Sequence, residues 1–383
     1  MLYWDNAATT YPKPPAVVSA VGTAFTKYGA NPGRGGHALA YATSEMLYQC
    51  RETAARFFNV AVPDNVVFTL NCTTALNMVI KGILRDGGRA IISDVEHNAV
   101  LRPMFAVAGR RLDIAKVDFA DPTQTVENIR RLVQRDTKLI VCTHASNVFG
   151  VTLPIREIGA LAHEYGIPFA VDAAQTAGVL PIDTEKDNID FLCVAGHKGL
   201  YGPMGTGMLL TSGRYPLPSF VEGGTGSRSL DPVQPFEWPD HMESGTPNTA
   251  GLCGLKAGME WVEKHSVERI AQHEMSLVQT VYRCLENIPS AKLYTTSPLQ
   301  GTFVPVLSFN FEGSPSEQTA ALLNEAGVAV RAGLHCAPLA HRKMGTEKQG
   351  VVRLSPSAMT DVKECAQLCK ILQQTAQKTL HTS

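Results

Sequence analysis

The sequence lacks the features that would point to a nucleic acid or a membrane as its partner. Its 34 basic and 35 acidic side chains nearly cancel, and no run of like charge appears. No apolar stretch approaches the ~18 residues needed to span a bilayer, and the residues before Asp5 do not form the apolar run of a signal peptide. We therefore expect a cytoplasmic protein that acts on small molecules, with no nucleic acid and no membrane as partner.

Cysteine is present but follows no structural pattern. The nine cysteines are scattered from Cys50 to Cys369 without compact spacing, which argues against a disulfide framework. Cys365 and Cys369 lie four residues apart on a predicted helix, but no second pair lies nearby, so we predict no metal site. We expect free thiols, at least one of which has a chemical role.

The order of apolar and amphipathic segments is typical of an α/β fold. Short apolar runs alternate with amphipathic segments up to about residue 265, which favours a mainly parallel sheet. The runs interpreted as strands are 66–69, 89–93, 139–143, 168–172 and 190–194. Residues 215–250 are rich in Pro and Gly and predict a long loop ordered by a ligand or a partner subunit. A strand near 304–309 and a last helix over 361–379 predict a second, α+β domain.

Two motifs at predicted strand ends carry the main chemical signal. One apolar run ends at Asp172, and the next ends in a glycine-rich loop that contains His197 and Lys198. A carboxylate for a pyridinium nitrogen and an amine for a Schiff base are what a pyridoxal phosphate site needs. Taken alone, Asp172 would equally serve as a helix N-cap, and Lys198 as an exposed loop lysine. Together, at the sheet edge where α/β proteins bind ligands, they favour a cofactor site.

Three further segments follow predicted strands, and each has an ordinary alternative. His97 could stack on a flat ring and move protons near neutral pH, or be a structural histidine. Cys72 and Thr73 precede a predicted helix whose N-terminus suits a phosphate, although the same residues would make an ordinary cap. Asn147 is either a site residue or a turn asparagine.

The second domain supplies a cysteine and two arginines. Cys336 is flanked by His335 and lies near Arg331, and such neighbours can lower a thiol pKa and favour the reactive thiolate. An inert core cysteine is the alternative. Arg353 follows an apolar pair and is a candidate fork for a substrate carboxylate, or else part of a surface salt bridge.

On these motifs the chain resembles the class V aminotransferases of pyridoxal phosphate fold type I, and within them the cysteine desulfurase and selenocysteine lyase branch. The matching motifs, in the family's order, are 3–10, 96–98, 172–175, 196–198, 331–337 and the Arg353 segment. The resemblance implies a large cofactor-binding domain over 15–262 with a mainly parallel, seven-stranded-type sheet. It also implies a smaller α+β domain from 1–14 and 263–383 that carries the cysteine loop.

The resemblance implies conversion of L-cysteine to L-alanine, with the sulfur left as a persulfide on Cys336. Lys198 would bind the cofactor and move protons, and His97 would stack on the ring and assist. The implied cofactor-binding residues are Cys72, Thr73, His97, Asn147, Asp172, Gln175, His197, Lys198 and Thr246. Thr246 would reach the phosphate of the other subunit, which implies a homodimer. Asn147, Arg331 and Arg353 would bind the substrate.

The short Arg-x-Gly-x-His-Cys loop is similar to the group II type, which often depends on a sulfur-acceptor protein and which we expect to serve iron–sulfur cluster assembly. Two alternatives remain: a selenocysteine lyase or other C–S lyase that does not require Cys336, and a non-catalytic protein that binds the cofactor. Ala195 stands where the family usually has Ser or Thr, which predicts one fewer phosphate contact. Thr360 and Asp361 replace a common Asn-Thr pair, and we expect Thr360 to cap the last helix.

Overall fold

The computed structural model describes residues 1–32, 36–299 and 301–380. The strands are β1 (Leu2–Tyr3), β2 (Val66–Thr69), β3 (Arg89–Ser93), β4 (Leu112–Ala115), β5 (Thr137–Thr143), β6 (Phe169–Asp172), β7 (Phe191–Ala195), β8 (Gly207–Thr211), β9 (Ala291–Leu293), β10 (Leu307–Phe311), β11 (Val328–Ala329), β12 (Arg331–Gly333) and β13 (Val351–Leu354). The α-helices are α1 (Pro15–Lys27), α2 (Ala38–Phe58), α3 (Cys72–Ile83), α4 (Asn98–Val107), α5 (Pro122–Arg130), α6 (Ile155–Glu164), α7 (Thr249–His265), α8 (Val267–Glu286), α9 (Ser316–Glu325), α10 (Pro338–Met344) and α11 (Val362–Leu380).

Seven strands form one sheet in the order β2-β8-β7-β6-β5-β3-β4. β8 runs antiparallel to its neighbours β2 and β7, and the other strand pairs that the structure describes in this sheet are parallel. The predicted mainly parallel sheet is therefore confirmed, with strand bounds that shift by a residue or two. In the register of β5, β6 and β7, Thr143 pairs with Asp172 and Asp172 with Cys193, so the ends of these strands meet at one edge.

The central strands are nearly continuous apolar runs because helices cover both faces of the sheet. Along β5, Ile140 and Cys142 face one core, which contains residues of α2, α6 and α7. Leu139 and Val141 face the opposite core, which contains residues of α3 and α4. This alternation follows the two-residue period of a strand. It also leaves the strand ends as the part of the sheet that helices do not cover.

A second, antiparallel sheet has the order β12-β13-β10-β9. Its core joins β10 and β13 to α8 and α11, and the buried Trp4 belongs to it. β1 pairs in parallel with β11, so the first residues of the chain pack with its last third. The boundaries 1–14, 15–262 and 263–383 stay a prediction. The predicted strand 304–309 was wrong by two or three residues, because the ladder runs over Leu307–Phe311.

The cap of α11 differs from the prediction. The Asp361 carboxylate accepts a hydrogen bond from the Lys363 N–H at 2.9 Å, and Glu364 reaches back to the Asp361 N–H at 3.3 Å. This reciprocal arrangement is a capping box. The Thr360 hydroxyl instead accepts from the Ser357 N–H at 3.0 Å. Asp361, and not Thr360, therefore caps the helix.

The segment 212–248 is fully described and contains neither helix nor strand, which agrees with the predicted long loop. It exposes several large apolar side chains, including Leu230, Val233 and Phe236. All nine cysteines are free thiols. None of the helices in the described ranges combines the length and the apolar character that crossing a membrane requires.

Candidate active site

A cavity of about 240 Å³ opens where the carboxyl edge of the large sheet faces the second sheet. Eleven residues that the sequence singled out line it: Cys72, Thr73, His97, Asn147, Asp172, Gln175, His197, Lys198, Arg331, Cys336 and Arg353. Ala195 and His335 also line it. Thr246 is exposed on the 212–248 segment and lies outside this lining. The structure therefore brings together every candidate except Thr246.

Asp172 places a buried carboxylate at the floor of the cavity. It is the last residue of β6 and is 3% exposed. Its Oδ1 accepts hydrogen bonds from the Ala174 N–H at 2.9 Å and from the Cys72 thiol at 3.3 Å. Burial, reinforced by the Asp172 charge, holds the pKa of Cys72 well above its usual range. Cys72 is thus a thiol that donates to Asp172, and Asp172 keeps its other oxygen for a further donor.

Lys198 projects from the loop that follows β7. Burial lowers the pKa of its amine, and the Asp172 charge opposes that effect. A lowered pKa increases the fraction of unprotonated amine, which is the nucleophilic form. The loop is tightly packed: a Cβ on Gly199 would lie 2.4 Å from the Ala177 carbonyl oxygen. The cavity therefore holds an amine prepared for addition to a carbonyl group.

The N-terminal segment holds the Lys198 loop in place. The His197 carbonyl accepts hydrogen bonds from the Lys13 amine at 2.8 Å and from the Thr10 N–H at 3.2 Å. The Thr9 hydroxyl donates to the same oxygen at 3.1 Å. Burial lowers the pKa of Lys13 to about 8. Sequence reasoning missed these contacts, because they join residues more than 180 positions apart.

His97 caps α4 and faces the cavity at the same time. Its Nδ1 accepts a hydrogen bond from the Ala99 N–H at 3.0 Å, so the neutral ring carries its proton on Nε2. Burial lowers the pKa of His97, although the Asp172 charge acts in the opposite direction. The structural and the functional interpretations of this histidine are therefore compatible: one nitrogen caps the helix and the other remains for the site.

One end of the cavity is suited to an anion. Asn71 caps α3 by accepting from the Thr74 N–H at 2.9 Å, so the N-terminus of this twelve-residue helix opens beside Thr73. The buried His197 Nδ1 finds no hydrogen-bond partner among the described residues. Burial lowers the pKa of His197 to about 4, so the ring is neutral and can donate one hydrogen bond. Ala195 adds no hydroxyl here.

The cysteine loop closes the opposite side. Cys336 is exposed, and both His335 and Cys336 have left-handed backbones with φ of 48° and 56°. Two hydrogen bonds hold this loop: the Asn147 amide donates to the His335 carbonyl at 2.8 Å, and the Asn98 N–H donates to the Cys336 carbonyl at 2.7 Å. Burial lowers the pKa of His335 to about 2. His335 is therefore a neutral ring beside Cys336.

Arg353 lies deep in the site and not on the surface. It is 2% exposed; its Nη1 donates to the Asn147 carbonyl at 3.0 Å and its Nη2 to Asp5 Oδ1 at 2.8 Å. The surface salt-bridge alternative is excluded by this burial. Arg331 is its cross-strand partner, is exposed, and forms no ion pair within the described part of the chain. The cavity thus has one fixed and one free guanidinium.

Glu96 lies behind the cavity lining, and sequence reasoning used it only as part of the 96–98 motif. It is fully buried, and both its carboxylate oxygens accept from the Thr143 N–H, at 2.9 and 3.0 Å. The Ser93 hydroxyl donates to it as well. Burial raises the pKa of Glu96 to about 8. Its position directly before His97, at the end of an apolar strand, could have predicted a buried carboxylate. Such a carboxylate needs hydrogen-bond donors around it.

The donor and acceptor set fits pyridoxal phosphate. The His197 Nδ1, the Asn147 Oδ1 and the Arg353 Nε are all buried without a partner in residues 1–32, 36–299 and 301–380. Buried polar groups without partners are uncommon in folded proteins. These three surround a cavity that also holds an amine, a carboxylate and a helix N-terminus. A phosphate would accept a hydrogen bond from the His197 Nδ1 and a carboxylate from the Arg353 Nε, whereas the Asn147 Oδ1 would need a donor group on the ligand.

The comparisons with known proteins agree on one family. The family model described as aminotransferase class-V matches residues 2–368. A probable cysteine desulfurase from Methanothermobacter thermautotrophicus is 34% identical over 363 residues, which cover 92% of this chain and 89% of the relative. A cysteine desulfurase from Synechococcus elongatus is 33% identical over 361 residues, which cover 91% of this chain and 56% of the relative.

Solved structures share the fold. The apo structure of a cysteine desulfurase from Thermococcus onnurineus NA1 superposes with a TM-score of 0.90 at 30% identity, covering 98% of this chain and 95% of that one. The cysteine desulfurase CsdA from Escherichia coli gives a TM-score of 0.85 at 27% identity, covering 99% and 94%. The mixed α/β architecture predicted from the sequence is confirmed.

Proposed function

Because the chain belongs to the aminotransferase class-V family, matched over residues 2–368, we propose that it is a pyridoxal phosphate-dependent cysteine desulfurase. It converts L-cysteine to L-alanine and receives the sulfur on Cys336. One observation carries this proposal: the exposed Cys336 thiol lines the same cavity as Lys198, Asp172 and Arg353. A lyase that releases its product without a protein thiol has no use for that placement.

The residues of the large sheet hold the cofactor. Asp172 would hold the pyridine nitrogen and Gln175 the phenolic oxygen, while His97 would stack on the ring. Thr73, the α3 N-terminus and His197 would hold the phosphate, and Lys198 would supply the amine for the covalent link. When bound, the cofactor supplies an electron sink for charge that develops on the substrate. The buried Asp172 carboxylate keeps that sink effective because it favours a protonated ring nitrogen.

Lys198 and His97 move the protons. The lowered pKa of Lys198 leaves part of the amine free to accept a proton from the substrate Cα. His97 holds a proton on Nε2, since its Nδ1 is occupied by the Ala99 N–H. The Arg353 guanidinium binds the substrate carboxylate and, with Asn147, fixes its orientation.

Cys336 takes the sulfur. Its thiolate donates an electron pair to the substrate sulfur, so an S–S bond forms while the substrate C–S bond breaks. The electron pair of that bond passes to the carbon skeleton, which takes up protons and leaves as alanine. The sum is cysteine plus protein thiol giving alanine plus protein persulfide, with no external oxidant or reductant. Because Cys336 is exposed, an acceptor protein could collect the sulfur there, for example for iron–sulfur cluster assembly in the cytoplasm.

The protein acts as a homodimer in this proposal. Thr246 is exposed on a segment that also exposes Leu230, Val233 and Phe236. Exposed apolar side chains clustered along one segment mark an interaction surface. Thr246 would then complete the phosphate site of the other subunit. Light scattering that finds a fully active monomer would contradict this arrangement.

The experiment that tests the function is Cys336→Ser, with Cys284→Ser as the matched control, because Cys284 is a half-buried thiol that does not line the cavity. Wild type and Cys284→Ser should release alanine from L-cysteine and gain one sulfur on the peptide that contains Cys336. Cys336→Ser should bind the cofactor but release almost no alanine. Full cysteine turnover by Cys336→Ser would overturn the desulfurase assignment. Retained turnover of selenocysteine alone would point to the lyase alternative.

A further inference from the structure

The guanidinium of Arg353 is held from behind by a carboxylate of the N-terminal segment. Asp5 Oδ1 accepts from Arg353 Nη2 at 2.8 Å, and the two side chains are 19% and 3% exposed. We propose that Asp5 is the positioning residue for Arg353 and sets the affinity of the site for a substrate carboxylate. The proposal rests on the proposed function only in taking Arg353 as the residue that binds that carboxylate.

The backbone around Asp5 is fixed relative to Arg353. Asp5 forms a bridge with Ser355, which lies two residues beyond Arg353 on the same strand face. The Asn6 N–H donates to the Ser355 carbonyl at 3.1 Å, and the Ser355 N–H donates to the Trp4 carbonyl at 2.8 Å. Trp4 itself is fully buried. Asp5 therefore reaches the guanidinium from a rigid position.

Two contacts define the plane of the guanidinium. Nη2 donates to Asp5 and Nη1 donates to the Asn147 carbonyl, whereas the buried Nε donates to no group in the described ranges. A guanidinium binds a carboxylate through two parallel hydrogen bonds only when its plane is oriented correctly. Loss of Asp5 would leave the plane defined by the Asn147 carbonyl alone. Part of the binding free energy of the substrate carboxylate would then be lost in ordering the Arg353 side chain.

Asp5 also sets the charge at this end of the cavity. Arg353 and its cross-strand partner Arg331 both line the cavity. Against these two positive charges Asp5 supplies one negative charge, which leaves one positive charge uncompensated. The one uncompensated positive charge would be neutralised by the single negative charge of a substrate carboxylate. Removing the charge while keeping the oxygen acceptor should therefore make the site bind anions more tightly and less selectively.

The test compares Asp5→Ala and Asp5→Asn with Asp113→Asn as the control. Asp113 forms an equivalent 2.7 Å pair with Arg89, with side chains 21% and 20% exposed, at the edge of the large sheet. The probe is 3-mercaptopropionate, which has the carboxylate and the thiol of cysteine but no amine. Its binding to the holoenzyme is measured by calorimetry, beside steady-state kinetics with L-cysteine and inhibition by propionate.

Asp5→Ala should weaken probe binding and raise KM about tenfold, with kcat within about twofold, because one charged hydrogen bond no longer orients the guanidinium. Asp5→Asn keeps an oxygen acceptor, so it should bind the probe at least as tightly as wild type and be inhibited more strongly by propionate. Asp113→Asn should match wild type in every measurement. Equal losses in Asp5→Ala and Asp5→Asn would overturn the proposal, as would probe binding by Asp5→Ala at the wild-type level.

If Asp5→Ala does not fold, Asp5→Asn decides, and weaker binding than wild type overturns the proposal. Failure here is distinct from failure of the proposed function. A wild-type protein that binds the probe but never releases alanine from cysteine would refute the desulfurase assignment and leave the role of Asp5 standing. If the wild-type protein desulfurates cysteine while Asp5→Ala binds the probe normally, the desulfurase assignment stands and the role of Asp5 is refuted.

Discussion

The cavity has two walls that are built in different ways. The sheet wall consists of residues that end or follow strands of the large sheet; Cys72 and Asp172 on it are 6% and 3% exposed, whereas Thr73 is exposed. The cysteine wall consists of β12, β13 and the loop with Cys336; Arg353 on it is 2% exposed, whereas Arg331 and Cys336 are exposed. A buried carboxylate such as Asp172 is shielded from solvent, whereas an exposed thiol such as Cys336 is accessible to other molecules. The difference predicts that changes in the sheet wall affect cofactor binding, and changes in the cysteine wall affect substrate use.

The largest effect should come from the sheet wall at Lys198. Lys198→Ala removes the amine that we propose links the cofactor and moves protons, so turnover should fall by about 10⁴-fold or more. Lys198→Arg keeps the positive charge but should lose activity equally. Borohydride treatment followed by mass spectrometry should find no trapped cofactor on either variant. An adduct that survives in Lys198→Ala would place the covalent link on another residue.

On the cysteine wall, Arg353→Lys should separate substrate use from cofactor binding. Lysine keeps the charge but loses the two-pronged geometry, so kcat/KM for cysteine should fall by about 1.5–3 kcal/mol, or roughly 10- to 150-fold. The visible absorbance of the bound cofactor should stay unchanged. Loss of that absorbance together with activity would show that the two walls are not separable.

Glu96 is buried behind the sheet wall, where it accepts hydrogen bonds from Ser93 and Thr143, and its titration makes the stability of the fold depend on pH. Burial raises the pKa of Glu96 from 4.5 to about 8 in the folded protein. The folded state therefore holds this proton more tightly, so the stability it contributes is full below about pH 4.5 and is lost as the pH rises to about 8. In Glu96→Gln the free energy of unfolding should fall less steeply with rising pH, by up to about 1.4 kcal/mol per pH unit. Denaturant unfolding at several pH values measures this, with the exposed Glu185→Gln as the control; an unchanged slope in Glu96→Gln would contradict it.

The smallest expected effect is an increase in the affinity for the cofactor. Ala195 lines the end of the cavity that we propose binds the phosphate, and it is 2% exposed. Ala195→Ser adds one hydroxyl, and one hydrogen bond contributes about 0.5–1.5 kcal/mol, so the cofactor should bind roughly 2- to 13-fold more tightly. Equilibrium titration of the apoprotein measures the change. Weaker cofactor binding would show that the site has no room for the hydroxyl.

The sequence predicted the sheet wall better than the cysteine wall, for a physical reason. Asp172 and Lys198 each end a buried apolar run, and parallel strands bring such ends to one edge. The contact between Asp5 and Arg353 joins residues 348 positions apart, and no local pattern encodes it. The charge state of His335 depends on its burial, which the neighbouring residues in sequence do not reveal. The cap at Asp361 was recognisable from Glu364 three residues later, but Thr360 offered an equally plausible hydroxyl.

Residues 1–13 touch both walls of the cavity. β1 pairs with β11, Asp5 holds Arg353, and Lys13 and Thr10 hold the His197 carbonyl. A proteolytic cut or a fusion partner that displaces this short segment would therefore disturb two parts of the site at once. Both the loop that carries Lys198 and the position of Arg353 would be affected by the single change. Because Trp4 of the same segment is buried in the core of the second sheet, thermal unfolding has to be measured beside activity to separate these two defects from misfolding.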